Sequence, residues 1–350
     1  MFNKLYIISL EKIESRYTTQ WYNYWKKEFS KVFNVEYIDG KDIEQTIKKG
    51  AFLDFNTTNI YKAQQIEKIA VLFNENKIKN DDIFLFMDGW HYGITALKYM
   101  IQLNNINVKI FAYFHAGSWD KFDRITQAGF RKWATFDECA WFNALDGSFV
   151  STNFHKKLIL DFFNGNIPKN KLHVVGFPMN WRKETNVARD FKHFSDDLFK
   201  KDIVVFPHRL DKEKQPGKFE WLKKQLPDFT YIRTMDEKRT KEEYYKILQQ
   251  AKISFSASLQ ETFGIGTVEA LMLGAIPIVP YRLSYVELYE RQFLYKDLYE
   301  ARNKIRYFIK NYSKDHVQQA IKRNQEKIYR QSINAIPKMA KIMGWKNESW

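Results

Sequence analysis

The chain of 350 residues has one cysteine, Cys139, so it can form no internal disulfide and no thiolate cluster for a metal. Cys139 lies in the apolar helical stretch Phe136–Phe142, where a buried, inert thiol in a reducing compartment is expected. No run approaches the ~20 apolar residues of a bilayer span, and the apolar run in Met1–Leu10 is too short for a secretory signal. No integral membrane segment and a cytoplasmic location are the expectations. No Gly-x-Gly-x-x-Gly turn follows the first apolar strand, which argues against a dinucleotide-binding dehydrogenase. No cysteine–histidine cluster is visible, and Asp88, at a strand end, is followed by Trp90 where an Asp-x-Asp metal site needs its second carboxylate. Neither a metal nor a cofactor is expected.

Charge and aromatic rings are plentiful. The formal net charge is +15 and aromatics make up 17% of the chain. Residues 1–150 carry 19 basic and 18 acidic side chains, whereas residues 151–350 carry 37 and 23. An excess of this size suits an anionic partner: a nucleotide, a nucleic acid or an anionic membrane surface. A lysine-rich solvated surface would give the same count.

Short apolar runs alternate with longer amphipathic ones. Leu5–Ser9, Val35–Ile38, Ile83–Met87, Val108–Phe114, Gly147–Ser151 and Leu172–Gly176 read as strands; Tyr17–Phe33, Lys62–Asn76, Ile94–Leu103, Phe130–Phe142 and Phe154–Phe163 read as helices. The rhythm breaks in the polar stretch 181–200 and restarts with strands at Ile203–Pro207, Phe229–Arg233, Ile253–Ser256 and Ile276–Pro280. Helices are expected between them at Lys218–Gln225, Lys241–Ala251 and Thr267–Leu273. Such alternation predicts an α/β protein of two doubly wound, Rossmann-like parallel sheets. The expected division is a first domain over 1–180, a connection over 181–200, and a second domain over 201–310. A helical segment over 311–350 would complete the chain, with the possibility of packing back on the first domain. Two such sheets facing each other would form a central cleft at their strands' carboxyl ends, where doubly wound folds bind ligands.

The most informative stretch is Ser256–Pro280, SASLQETFGIGTVEALMLGAIPIVP. A strand ends, a loop carries Glu261-Thr262-Phe263-Gly264, and a helix begins near Gly266. Glycines allow close backbone approach, and a helix start presents unpaired N–H groups and a positive dipole end, which together cradle a diphosphate. Glu261 and Glu269 bracket that cradle. Just after the first strand of the second half, Phe206–Lys214 (FPHRLDKEK) supplies His208, Arg209, Lys212 and Lys214. In the first half, His115 falls at the end of an apolar strand; an isolated histidine there is either structural or functional. Asp88-Gly89-Trp90-His91 ends another strand and either contacts an acceptor or forms a turn. Trp90 and Trp119 are candidates to stack on an acceptor.

These motifs resemble those of the GT4-type glycosyltransferases, a retaining family of the two-domain GT-B class. The resemblance is strong over roughly residues 145–290, and in the first 145 residues it is one of strand–helix pattern only. It rests on the spacing of Glu261 and Glu269, followed by Ala270, Gly274 and Pro277, and on Arg209 and Lys214 five positions apart. It implies a nucleotide-sugar donor as co-substrate, UDP-glucose by family frequency. Glu261 would hold the donor sugar, Glu269 the ribose, Phe263-Gly264-Ile265 the diphosphate through its backbone, and Arg209 and Lys214 the departing charge. His115 would contact the transferred sugar. The chain departs from the family where His208 replaces a usual glycine, with Lys212 as an alternative to Lys214. It departs again where Ser9 runs into Leu10-Glu11-Lys12-Ile13-Glu14 instead of a glycine-rich loop. Tyr281–Glu287, His208-Arg209 and Gly176-Phe177-Pro178 are similar to transferases that mannosylate queuosine in tRNA, and the whole chain is similar to phage-encoded glycosyltransferases, some of which glycosylate hydroxymethylated pyrimidines in DNA. Duplex DNA in a phage-infected host's cytoplasm is thus the favoured acceptor, with tRNA and a membrane lipid or lipopolysaccharide as alternatives. A GT-B-shaped binding protein without turnover is the non-enzymatic alternative.

Overall fold

A computed structural model describes residues 3–14, 16–43, 54, 56–185 and 200–346. The first compact unit runs to Pro178 and resumes at Asn334; the second is Met179–Ile333.

The first unit holds β1 (Lys4–Ile8), α1 (Tyr17–Phe29), β2 (Asn34–Ile38), α2 (Thr57–Asn74), β3 (Ile83–Phe86), α3 (Gly93–Leu103), β4 (Lys109–Tyr113), α4 (Arg124–Gln127), α5 (Arg131–Ala144), β5 (Gly147–Val150), α6 (Asn153–Phe163) and β6 (Leu172–Val174). All strands are parallel, in the order β2-β1-β3-β4-β5-β6. The inner strands are unbroken apolar runs, IFLF in β3 for example, because helices cover both faces. The order reverses between β1 and β3, so the segments after those two strands lie side by side at the sheet's switch point.

The second unit opens with α7 (Trp181–Glu184) and holds β7 (Lys201–Phe206), α8 (Pro216–Gln225), β8 (Thr230–Arg233), α9 (Lys241–Gln250), β9 (Ala251–Phe255), α10 (Ile265–Met272), β10 (Ile276–Pro280), α11 (Tyr285–Leu288), β11 (Leu294–Tyr295), α12 (Leu298–Lys310) and α13 (Asp315–Ile333). Its sheet is also parallel, in the order β11-β10-β9-β7-β8, and its switch point lies between β7 and β9. The two-residue β11 is too short to leave a periodic signal. A last helix, α14 (Ala335–Met343), belongs to the first unit and packs against α1 and β5.

Three sequence expectations need correction. The connection does not begin at 181: Trp181 is buried in the second unit, stacked on Phe263 and donating its indole N–H to Ser332 Oγ at 2.8 Å. Residues 186–199 of the expected connection lie outside the described residues. The C-terminal helical stretch changes unit at 333/334, not at 310/311. Pro337, in the first turn of α14, has no N–H to offer α13 and cannot continue it. Cys139 is half-buried, its thiol donating to Asn166 O at 3.3 Å.

Candidate functional site

At the second unit's switch point, the loop after β7 meets the loop after β9. Lys214, almost fully buried, donates to Glu261 Oε1 at 2.8 Å and to the Gln260 carbonyl at 2.7 Å. His208 Nδ1 stands 3.6 Å from the same Glu261 oxygen. Burial disfavours the charged form of Glu261, but Lys214, with Arg209, outweighs it and holds the carboxyl below its usual range. Burial first, then Lys214 and Arg209, pushes His208 down to about 4, so its ring is neutral at pH 7. Arg209 is half-buried, bridging Asp211 at 3.1 Å and Glu213 at 3.4 Å. Lys212 is exposed, so Lys214 is the lysine that reaches the carboxylate.

Beside this cluster α10 begins. Gly264 takes φ +84°, a left-handed turn that redirects the chain into the helix. Gly266 comes so close to the loop after β7 that a Cβ on it would lie 2.3 Å from the Pro207 carbonyl oxygen. The start of α10 is thereby pressed against the segment carrying His208 and Arg209, with Phe263 buried behind it and Ile265 as the first helical residue. Two buried polar atoms here have no partner, His208 Nε2 and Thr267 Oγ1.

Glu269 is in different surroundings. It is buried on α10 and turned towards α9, where Oε1 accepts from Lys241 at 2.6 Å and Tyr245 at 3.0 Å, and Oε2 from Tyr244 at 2.9 Å. The sequence reading singled out none of these three, although i, i+3, i+4 spacing on a predicted helix puts them on one face. Arg282 was also missed; it ties the loop after β10 to the β9 loop by donating to Ala257 O at 2.7 Å and Ser258 O at 3.0 Å.

In the first unit, His115 Nε2 lies 3.1 Å from the Met87 carbonyl, which fixes that nitrogen as the donor. Nδ1 then accepts from the Tyr17 hydroxyl at 3.3 Å, and burial lowers the pKa, so the ring is neutral. Asp88 is half-buried and accepts from the Trp90 backbone N–H at 3.1 Å, a tight turn at the end of β3.

Two acceptor-side candidates are structural. His91 is buried, its Nδ1 accepting from Gly93 N–H at 2.9 Å and its Nε2 donating to Gln65 Oε1 at 3.1 Å, so it secures the β3 loop on α2 and has no nitrogen left for an acceptor. Trp119 is 3% exposed, packed among Phe114, Phe142, Phe163 and His155, and offers no face to a base. Trp90 is half-buried, edge-on to Trp141, with its indole N–H donating to Glu138 at 3.0 Å. Glu138, fully buried on α5, also accepts from the Ser118 N–H at 2.8 Å and the Ser118 hydroxyl, so one carboxylate joins the loops after β3 and β4. Burial raises Glu138 to about 7.

Glu11 is the group the sequence reading passed over. It lies in the segment after β1 that replaces a glycine-rich loop, is 3% exposed, and has an Oε1 without a partner. Burial raises its pKa, with Lys62 and Asp88 as its charged neighbours. The switch-point topology sets the segment that carries Glu11 beside the loop that carries Asp88. Among the described residues no group of three His, Cys, Asp or Glu side chains is arranged to hold a metal ion, and no helix is long and apolar enough to cross a membrane.

No protein-family model matches the chain. Among solved structures it is similar to sucrose-phosphate synthase from Thermosynechococcus elongatus, at 12% identity and TM-score 0.63 over 97% of this chain and 98% of that one. It is similar to a UDP-forming α,α-trehalose-phosphate synthase from Burkholderia vietnamiensis, at 10% identity and TM-score 0.64 over 98% of each chain. The catalytic domain of starch synthase IV from Arabidopsis thaliana, bound to ADP and acarbose, gives 10% identity and TM-score 0.62, again over 98% of each. The chain has the GT-B fold. At these identities the fold is what is shared, and chemistry has to be argued from the site.

Proposed function

We propose that the chain is a metal-independent, retaining glycosyltransferase that uses a nucleotide-sugar donor, with UDP-glucose the first donor to test. The observation that carries the reading is Glu261, held ionised by Lys214 beside Arg209 and His208, next to the start of α10 at the second sheet's switch point. The backbone of Phe263-Gly264-Ile265 at the start of α10, with the positive end of the helix dipole, suits a diphosphate. As the sugar–phosphate bond breaks, negative charge grows on the leaving oxygen. In this reading Arg209, Lys214 and the helix dipole stabilise it, and Glu261 binds the sugar hydroxyls. Glu269, already gripped by Lys241, Tyr244 and Tyr245, would present its remaining acceptor capacity to the ribose. His115 and Asp88, with Glu11, form the acceptor-side set.

A hydroxymethylated pyrimidine in duplex DNA is the acceptor in this reading, supported by the charge of +15. A buried base must first leave the stack. Transfer to a lipid-linked acceptor is the second reading, favoured by Phe130, Trp133 and Phe136, which stand 49%, 48% and 72% exposed beside Arg131 and Lys132. The test offers labelled donor in excess chelator to hydroxymethylated DNA, unmodified DNA, tRNA and lipid vesicles in parallel. Transfer to hydroxymethylated DNA alone is expected. Transfer only to tRNA or vesicles would overturn the acceptor, and a requirement for Mg²⁺ or Mn²⁺ would overturn the metal-independent mechanism. A thermal-shift screen of nucleotides finds the donor base, and nucleotide binding without any transfer would mark a binding protein.

A further inference from the structure

The return of α14 to the first unit creates a basic cavity that neither segment forms alone. It has a volume of about 500 Å³ and lies at the edge strand β6, lined by Lys156 and Asn153 of α6, His173 of β6, and Lys338 and Lys341 of α14. Val174 and Ile342 complete the lining, so no carboxylate faces it. None of the three lysines forms an ion pair among the described residues, whereas their neighbour Lys157 is paired with Asp161. Three ammonium groups around one basin repel one another, and an anion between them turns that repulsion into attraction. The neutral His173 ring adds a hydrogen-bond donor that carries no desolvation cost of a charge; burial, then Lys156, keeps its pKa below the usual value.

We propose that this cavity binds the phosphodiester backbone of a nucleic acid, with Lys156, Lys338 and Lys341 contacting phosphates. The inference rests on the nucleic-acid reading of the acceptor and assigns it a binding surface in the first unit. Residues 151–178 and 334–350, which carry the cavity, have 7 basic and 2 acidic side chains, against 19 and 18 in residues 1–150. The basic excess of the first unit's sequence therefore lies in the two segments that supply the cavity's lining. The site favours a phosphate chain over a bilayer because its apolar lining, Val174 and Ile342, is half-buried, whereas bilayer docking needs projecting apolar anchors.

The test measures binding of a short unmodified DNA duplex by fluorescence anisotropy across a salt series, with no donor present. Lys156→Glu and the double variant Lys338→Glu/Lys341→Glu are compared with Lys157→Glu, which changes net charge identically to Lys156→Glu but lies outside the cavity. Lys156→Glu should weaken duplex binding at least tenfold and the double variant more. The slope of log affinity against log salt should become shallower by about 0.9 for each phosphate no longer neutralised. Lys157→Glu should stay within about twofold of the parent protein, as expected for a surface change away from the phosphates. Nucleoside diphosphate affinity, read by calorimetry, should be unchanged in every variant, which also shows that the second unit is folded. Equal losses from Lys156→Glu and Lys157→Glu would overturn the proposal, as would no duplex binding by the parent protein. Loss of binding to phosphatidylserine vesicles with duplex binding retained would overturn it in favour of a lipid headgroup. Failure of glycosyl transfer appears separately, as absent nucleoside diphosphate binding.

Discussion

The two switch points have the same topology and opposite electrostatics. In the second unit the cations Lys214 and Arg209 and the neutral His208 ring, all from the loop after β7, gather around one carboxylate of the loop after β9, Glu261. In the first unit the loops after β1 and β3 carry a neutral imidazole, His91, an indole, Trp90, and two carboxyls, Asp88 and Glu11, and burial raises the pKa of Glu11 and of Glu138 on α5, which holds the Trp90 indole. Strand order therefore selects where loops meet, and side chains select what the meeting place can do. A diphosphate needs fixed positive charge; an acceptor that must be oriented and deprotonated needs shape and groups that take up a proton.

That contrast can be broken most severely at Glu261. Glu261→Gln, which keeps the shape and an acceptor for Lys214, should lower kcat/KM by about 10³-fold with little change in melting temperature. Glu261→Ala is the less clean variant, since it leaves the Lys214 ammonium buried without its carboxylate, which costs roughly 3–5 kcal/mol. Near-parental turnover in purified Glu261→Gln would remove this carboxylate from the mechanism.

Trp119 tests the other side. As a core ring, Trp119→Ala should cost about 3–5 kcal/mol in urea unfolding of the first unit. A variant of parental stability that had lost transfer would return Trp119 to the acceptor site.

Glu138 tests whether burial sets the first unit's behaviour. A carboxyl raised from 4.5 to about 7 in the folded protein binds protons that the unfolded chain has released, so its contribution to stability is lost as pH rises between those values. The loss amounts to roughly 3 kcal/mol at most. Glu138→Gln should remove this slope, so the difference in melting temperature between parent and variant should change from pH 5 to pH 8. A constant difference would show that Glu138 is ionised throughout.

The smallest effect separates two lysines. Lys214→Ala should reduce kcat/KM by about 10²-fold, whereas exposed Lys212→Ala should stay within about threefold. Equal losses would mean that the loop rearranges when the donor binds.

Much of this is legible in the chain itself. Apolar runs such as Ile83–Phe86 and Ile276–Pro280 mark doubly covered strands, and glycines at 264 and 266 mark a turn into a helix. Expectations failed where a residue's meaning depends on a distant partner. Trp119 reads the same whether exposed or packed under Phe142. His91 reads equally as an acceptor contact or as part of a turn until Gln65 of α2 accepts its Nε2 proton in a hydrogen bond. The shared face of Lys241, Tyr244 and Tyr245 is visible in their spacing, but that Glu269 is the carboxylate they meet is not.

Local sequence was enough for two parallel sheets, the strand-to-helix turn at Gly264, and the residue types in the Glu261 loop, because periodicity and backbone sterics act over a few residues. It took the folded chain to decide that Lys214 and not Lys212 meets Glu261, that Glu138 joins the loops after β3 and β4, and that α14 carries Lys338 and Lys341 back to Lys156. Those pairings join residues far apart in the chain, and electrostatic and hydrogen-bond energies depend on distances through space, which no local pattern records.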